Sequence, residues 1–556
     1  MQLVAYGAQD VYLSGNPQIT FFKVVYRRHT NFSVEPVQQT WNGAADFGRT
    51  VTCNINRNGD LITNMYVVVK LPNRPDTSTA TTPGVEWGFV NRLGHALISN
   101  VKIEIGGSKI DEHYGDWLNI WYELTHKVGQ ENGYAKMIGD VPELTTLTNK
   151  AVDQYQLYIP LQFWFNRNNG LALPLIALQY HDVRITLVFR DFNDCINYVG
   201  PTAPASSQKV SMSDSYLLID YVYLDSEERK RFAQASHEYL IEQVQFTGSE
   251  TFVNSNNKLR LNFNHPSKYL IWAPHNAVHN AINPRNQWVS YAPTGDWNAA
   301  RERFAKVIAC ISSKFTYTAG GDITLTRLAG NPITDGVIFE SELNTSTQLG
   351  ALAAKIDARF YDTGNAASGG TAGASGGSGD ASVGTSANYF NNVFITKNEL
   401  TLEDMSVTVA QLISYLPAGA MATAGTLLLN EWGYSVVNYH NYGMNIDGTK
   451  NPCVNAKLQL NGHDRFQERD GSYFNYVQPA QHFTNTPADG INVYSFALKA
   501  EDHQPTGSCN FSRIDNATLN VNALTTLPVN SVLNIYVQNY NVLRVMSGMA
   551  GTAYSN

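Results

Sequence analysis

The sequence predicts an all-β chain of two tandem eight-stranded antiparallel jelly rolls, with long loops gathered at one end. Three observations predict it. A strand-turn-strand unit occurs twice, at Asn100–Gly115 and Asn455–Gly471. Strand-like runs recur in the same order in both halves. Charged residues make up only 15% of the 556 positions, against about 25% in an average globular chain, while aromatics reach 11%. That mixture favours strands and loops over helices.

In the repeated unit, Ile103 and Ile105, or Leu458 and Leu460, alternate with polar residues, the period of a half-buried strand. Gly106-Gly107 and Asn461-Gly462 then supply the positive φ that a tight hairpin needs. A polar strand, a glycine and an aromatic follow in both copies.

Taken in order, the chain opens with a short polar segment that ends in the turn Ser14-Gly-Asn-Pro17. Ile19–Tyr26, rich in β-branched and aromatic residues, reads as a buried strand. Arg49–Ile55 alternates, Asn58-Gly59 turns, and Leu61–Leu71 returns to stop at Pro72. Residues 73–93 form a loop. After the first copy of the unit, Trp117, Ile120, Trp121 and Leu124 share one face of a short helix over Asp116–Thr125. Tyr155–Phe163, Val183–Phe189 and Tyr216–Leu224 complete about eight strands, the complement of a jelly roll.

Asp225–Ala235 is charged and helix-prone, a linker. The pattern then restarts. Leu240–Phe246 parallels Ile19–Tyr26, Leu259–Phe263 parallels Val51–Ile55, and Tyr269–Trp272 parallels Tyr66–Val69. The second unit, Val493–Leu498, Ala517–Val521 and Val532–Tyr540 close the set. The expected division is an arm at 1–18, a first barrel at 19–225, a linker at 226–239, a second barrel at 240–545 with an insertion at 274–452, and a tail at 546–556. Within the insertion, Gly364–Gly379 is a glycine- and serine-rich stretch that cannot bury apolar surface. Phe304–Thr318 and Val393–Tyr415, on its flanks, carry strand or helix patterns.

Successive turns of a jelly roll alternate between its two ends. Asn58-Gly59, Gly106-Gly107, His265-Pro266 and Asn461-Gly462 therefore share one trimmed end. The connections 73–93, 118–153, 191–215 and 274–452 share the other. A tile that faces a constrained interior on one side and open solvent on the other needs this asymmetry.

Net charge is −8, and the basic clusters Tyr26–His29 and Arg229–Arg231 are short. Direct wrapping of nucleic acid is not expected. The five cysteines, Cys53, Cys195, Cys310, Cys453 and Cys509, match no metal-ligand spacing; Cys53 and Cys509 read as buried small hydrophobes, which points to a reducing compartment. The first ten residues lack the pattern of a signal peptide, and no run is long and apolar enough to span a bilayer.

Catalytic signals are weak. Gly373–Gly377 matches a Gly-x-Ser-x-Gly elbow but lies in the glycine run. His237–Ile241 begins like a zinc helix but has Ile241 in place of the second histidine. Asp111, Glu112, His113 and Asp116 form a polar cluster, read as a solvated or interface face rather than an acid-base pair. Phe163-Trp-Phe165 reads as core or subunit interface. No catalytic, cofactor or metal residue is assigned. Asn31, Asn344, Asn510 and Asn516 begin Asn-x-Ser/Thr triplets, candidate glycosylation positions that a chain without a secretory signal would not present to the transferase.

Gly7–Phe32 resembles the amino-terminal signature of the major capsid proteins of nucleocytoplasmic large DNA viruses. His237–Gln245 and the tail Asn539–Gly551 resemble the same family. The resemblance implies two jelly rolls side by side, homotrimeric capsomers, and an icosahedral virion shell over an inner membrane. It also implies minor capsid proteins on the inner side, assembly in host cytoplasm, and no enzyme activity. It puts the amino-terminal arm inside and the 274–452 insertion in an outer tower. The competing class is a carbohydrate-binding or carbohydrate-active β-sandwich, which needs convergent carboxylates or a metal cluster at the loop end.

Overall fold

The structure, a computed structural model, describes residues 7–77, 87–276 and 440–554, except 147, 200–203, 254–255, 445–449, 526 and 528–529, together with four short strands between 315 and 435. The first half contains β1 (Phe32–Thr40), β2 (Thr50–Asn54), β3 (Leu61–Leu71), β4 (Ile98–Ile105), β5 (Ser108–Tyr114), β6 (Tyr155–Pro160), β7 (Val183–Phe189) and β8 (Asp214–Leu224). Two sheets face each other, in the orders β1-β8-β3-β6 and β2-β7-β4-β5, with every pairing antiparallel.

The second half contains β9 (His237–Thr251), β10 (Asn256–Arg260), β11 (Pro266–His275), β12 (Cys453–Leu460), β13 (His463–Asp464), β14 (Arg469–Asp470), β15 (Asn492–Ser495), β16 (Ala517–Ala523), β17 (Val532–Met546) and β18 (Met549–Thr552). Its sheets run β9-β17-β11-β15 and β10-β16-β12, with β13 and β14 both on β12. Counting β13 and β14 as one interrupted strand, the order repeats that of the first half position for position. Alternation drives this: Val101, Ile103 and Ile105 are fully buried while Lys102 and Glu104 point away, and Ala456 and Leu458 repeat the pattern.

The repeated unit is the same device in both barrels. Gly106 and Gly107 have φ of 58° and 82°, and Asn461 and Gly462 have 51° and 83°, the two successive positive angles of a tight hairpin turn. The glycine that ends each unit is required by backbone crowding. A Cβ on Gly115 would lie 2.1 Å from the His95 carbonyl oxygen, and one on Gly471 would lie 2.0 Å from that of Cys453. Each glycine opens a helical segment: α1 (Gly115–Thr125) in the first barrel, and a π turn at Tyr473–Val477 running into a short helix, Gln478–His482, in the second. Between barrels, α2 (Ser226–Gln234) is capped by Asp225, whose Oδ1 accepts the Glu228 N–H at 2.9 Å.

Several expectations need correction. Ile19–Tyr26 is not a strand; its large apolar side chains are exposed, and the first strand is β1, the counterpart in strand order of β9. High β-propensity cannot make a strand without an edge to pair with. The strand expected at Leu259–Phe263 is β10, at Asn256–Arg260. Cys509 is half-buried, whereas Cys53, Cys195 and Cys453 are buried and Cys310 lies outside the described residues. The trimmed end is less trimmed than expected: the connection over residues 161–182 also emerges there, because it joins β6 of one sheet to β7 of the other at the end to which the alternation of successive strands brings it.

The two ends are visible in contacts. At one, Arg57 of the β2–β3 turn donates to the Gln179 carbonyl at 3.0 Å. At the other, Arg74 and Val152 pair across the two loops, and Trp87–Phe89 pairs with Ile196–Val199. Tyr434–Ser435, from the insertion in the second barrel, adds to that same small sheet of the first. Earlier in the insertion, three short strands, 315–317, 323–325 and 336–338, pair antiparallel. Gly364–Gly379, Gly373–Gly377 and Val393–Tyr415 lie outside the described residues.

Candidate functional site

The side chains singled out in the first hairpin lead to the joint between the barrels. Asp111 and His113 are buried, not solvated, with Asp111 Oδ2 and His113 Nε2 2.9 Å apart. Asp111 Oδ1 accepts the backbone N–H of Val244 in β9 at 3.0 Å, and the Gln243 side-chain amide donates to the Ile110 carbonyl. The outer edge of β5 is thus tied to the second barrel by side chains rather than by a strand ladder.

Asp116, in the first turn of α1, is the centre of a second knot. Its carboxylate accepts from Tyr442 Oη at 2.5 Å, Tyr536 Oη at 2.9 Å, His275 Nε2 at 3.0 Å and Asn534 Nδ2 at 3.3 Å. All four donors belong to the second half of the chain. Burial by itself would raise this carboxyl; the His275 charge and the three ring donors outweigh it and hold it well below the usual carboxylate range. A carboxylate at a helix N-terminus also gains from the helix dipole.

The third knot is Glu242 of β9. Lys268 Nζ lies 2.7 Å from one oxygen; Arg167 Nη1, from the β6–β7 connection of the first barrel, lies 3.0 Å from the other; Gln538 donates at 2.5 Å. Lys268 is fully buried and Glu242 is 5% exposed. Burial pushes the Glu242 carboxyl up, but Arg167, His503 and Lys268 together bring it down to about 2.

Apolar packing follows the same design. Trp117, Ile120 and Leu124 of α1 sit in one cluster with Val244, Tyr269 and Tyr536 of the second barrel. In the other direction Ile241, Leu543, Val545 and Ala550 join the core of the first barrel. Each barrel therefore completes the other's interior.

Beside the joint, His95 and His440 have ring centroids 6.0 Å apart; His95 is fully buried and His440 partly buried. Burial first, then the Arg92 charge, lowers His95 to about 3, and burial with His95 and Arg92 lowers His440 too. An unfolded chain protonates histidine near pH 6.5. For His95 the unfolded state therefore binds more protons between pH 6.5 and 3, and His440 acts in the same direction, so this stability is complete above pH 6.5 and drains as pH falls. The slope is roughly 1.4 kcal/mol per pH unit for each histidine. Denaturation midpoints at pH 7, 5.5 and 4.5 should fall steadily; a flat line from pH 7 to 5 would contradict neutral burial.

The remaining candidates are placed as follows. Asn31 lies in the exposed segment before β1, and Asn510 and Asn516 are exposed near the short-turn end, Asn510 beside Pro266 and Asn516 beside Asn461. Asn344 lies outside the described residues. His237 is in strand β9, which removes the zinc-helix geometry. Phe163, Trp164 and Phe165 are core. Arg229 pairs with Asp60 at 2.8 Å. Glu242, Arg167, Lys268 and His275 were not singled out from sequence; a lone lysine inside the apolar run Tyr269–Trp272 and its flank was the one available signal.

Comparison with known proteins agrees in both sequence and fold. The model described as "Major capsid protein N-terminus" matches residues 20–225, and that described as "Large eukaryotic DNA virus major capsid protein" matches 228–340 and 385–551. A major capsid protein of Phaeocystis pouchetii virus is 41% identical over 592 aligned residues, covering 100% of this chain and 99% of the relative. Capsid protein 1 of Acanthamoeba polyphaga mimivirus is 41% identical over 621, with the same coverage. The solved structure of VP54 from PBCV-1 superimposes with a TM-score of 0.60 at 30% identity, covering 97% of this chain and 100% of that one. The Faustovirus major capsid protein shares the fold, with a TM-score of 0.56 at 12% identity over 97% and 94% of the two chains. These relatives are structural capsid proteins, not enzymes.

Proposed function

Because the chain belongs to the major capsid protein family of large eukaryotic DNA viruses, we propose that it builds the virion shell as homotrimeric, pseudo-hexagonal capsomers that tile an icosahedral surface. One observation carries this. Two barrels of identical strand order are locked into one body by a shared interior. Three such bodies around a threefold axis present six similar wedges, the outline a hexagonal lattice needs. The low charge density suits extensive, partly apolar contacts between copies.

The elaborated end faces outward, with the 274–452 insertion in the tower. The end with the short turns, together with the amino-terminal arm, faces inward toward minor capsid proteins and an inner membrane, with assembly in host cytoplasm. Nucleic acid is not contacted directly. The sequons Asn31, Asn510 and Asn516 then lie on the inner side, where sugars would obstruct the shell's own contacts, so they stay unmodified.

Size exclusion with light scattering tests the oligomer. A stable species near three times 61.6 kDa is expected. A monomer that binds glycans would support the β-sandwich alternative and remove the shell proposal.

A further inference from the structure

Of the 22 exposed large apolar side chains among the described residues, 11 lie between Val11 and Val34; Phe21, Phe22 and Tyr26 are 90%, 99% and 85% exposed. So dense an apolar stretch marks an interaction site. A second apolar surface surrounds the turn Ser547–Gly548, where Tyr180 is 75% exposed, Met546 59% and Met549 49%. The Tyr180 N–H donates to the Gly548 carbonyl at 2.9 Å, which sets this hairpin against the first barrel.

Both surfaces lie at the same pole. Phe32, the root of the arm, is opposite Leu224, whose N–H donates to Asp60 at 2.9 Å. Three residues away Arg57 holds the carbonyl of Gln179, the neighbour of Tyr180. Yet within one chain neither surface covers the other. Every residue from Val11 to Pro36 is exposed, and Tyr180, Met546 and Met549 stay exposed too. Two complementary surfaces, close together and both bare, fit a partner that is another copy.

We propose that residues 11–26 of one copy dock across the Tyr180–Met546–Met549 surface of an adjacent copy in the capsomer. This rests on the trimeric shell proposed above. Aromatic rings against methionine thioethers are a favourable pairing. Lys23 lies within the arm's apolar stretch and Arg27 and Arg28 follow it; on the receiving surface Asp182 and Glu238 are each paired with an arginine, Arg57 and Arg544, so charge there is balanced and the apolar side chains carry the contact. Residues 19–31 span roughly 40 Å when extended, enough to cross to a neighbouring barrel. The contact joins two different surfaces, so it is heterologous, and repeated in three copies it closes into a ring.

Two full-length chains carrying different tags, one Phe22→Cys and the other Met549→Cys, are co-expressed, purified as the oligomer and oxidised with diamide. A disulfide-linked pair bearing both tags is expected, absent from either single-variant preparation. A trimer without that link overturns the docking proposal alone; a chain that stays monomeric refutes the shell reading, and this one with it. As a second measurement, deleting residues 1–26 from the full chain should raise amide exchange across Met546–Thr552 at least tenfold in the oligomer. Unchanged exchange, with the intact arm instead binding anionic lipid vesicles, would assign the arm to a membrane and overturn the proposal.

Discussion

Replacing Glu242 by glutamine should destabilise the chain by about 3–5 kcal/mol, the cost of removing one partner from a buried ion pair. The geometry makes this site severe. Lys268 is fully buried and Arg167 is partly buried, its side chain 15% exposed, and both aim at the same carboxylate, at 2.7 and 3.0 Å. Glutamine keeps the shape and leaves two cations facing each other with no anion between them. Replacing Glu242 and Lys268 together by methionine should recover much of the loss, since apolar residues of similar volume replace buried ion pairs at little cost. Arg167 can then rest on Trp121, where its guanidinium already stacks 4.9 Å from the ring. Guanidinium midpoints read by tryptophan fluorescence distinguish the two. A Glu242→Gln variant within 1 kcal/mol of the parent would mean that the triad is hydrated and adds no rigidity.

The strands of the barrels were legible because one face of each is buried, so that period-2 alternation survives in the residues. Val101, Ile103 and Ile105 state it directly. The turn pairs at Gly106 and Asn461 were legible for a different reason: few residue types tolerate the backbone angles found there. Ile19–Tyr26 misled because it carries the composition of a strand without the pairing edge. On the docking proposal its apolar residues pack against a second copy, which lies beyond any single chain. The joint was hardly legible at all. Asp111 and Asp116 drew attention as a polar cluster, but nothing local says that they are buried. Their partners Val244, His275, Tyr442 and Tyr536 lie more than a hundred residues downstream. Burial of a carboxylate is a property of what packs over it, and sequence periodicity reports only the element on which it sits.

Asp116→Asn should cost roughly 3–5 kcal/mol, because an amide offers one acceptor oxygen to four donors, three of them buried, and turns its own N–H₂ toward some of them. The neighbouring Glu112→Gln is the control. Glu112 pairs with Lys109, whose side chain is 59% exposed, and such pairs are worth under about 1 kcal/mol. The sign of the pH dependence separates the two roles. Asp116 stays ionised in the fold far below the usual carboxylate range. Its contribution is therefore present above that range and is lost as the solution is acidified through it. The gap in stability between parent and Asp116→Asn should be widest above pH 5 and should narrow toward pH 2. Amide exchange adds the structural readout. Because α1 is packed into the second barrel, its exchange and that of β17 should accelerate together in the variant, as the two barrels loosen against each other. A pH-independent gap, or faster exchange in α1 alone, would show that Asp116 caps its own helix and does not couple the barrels.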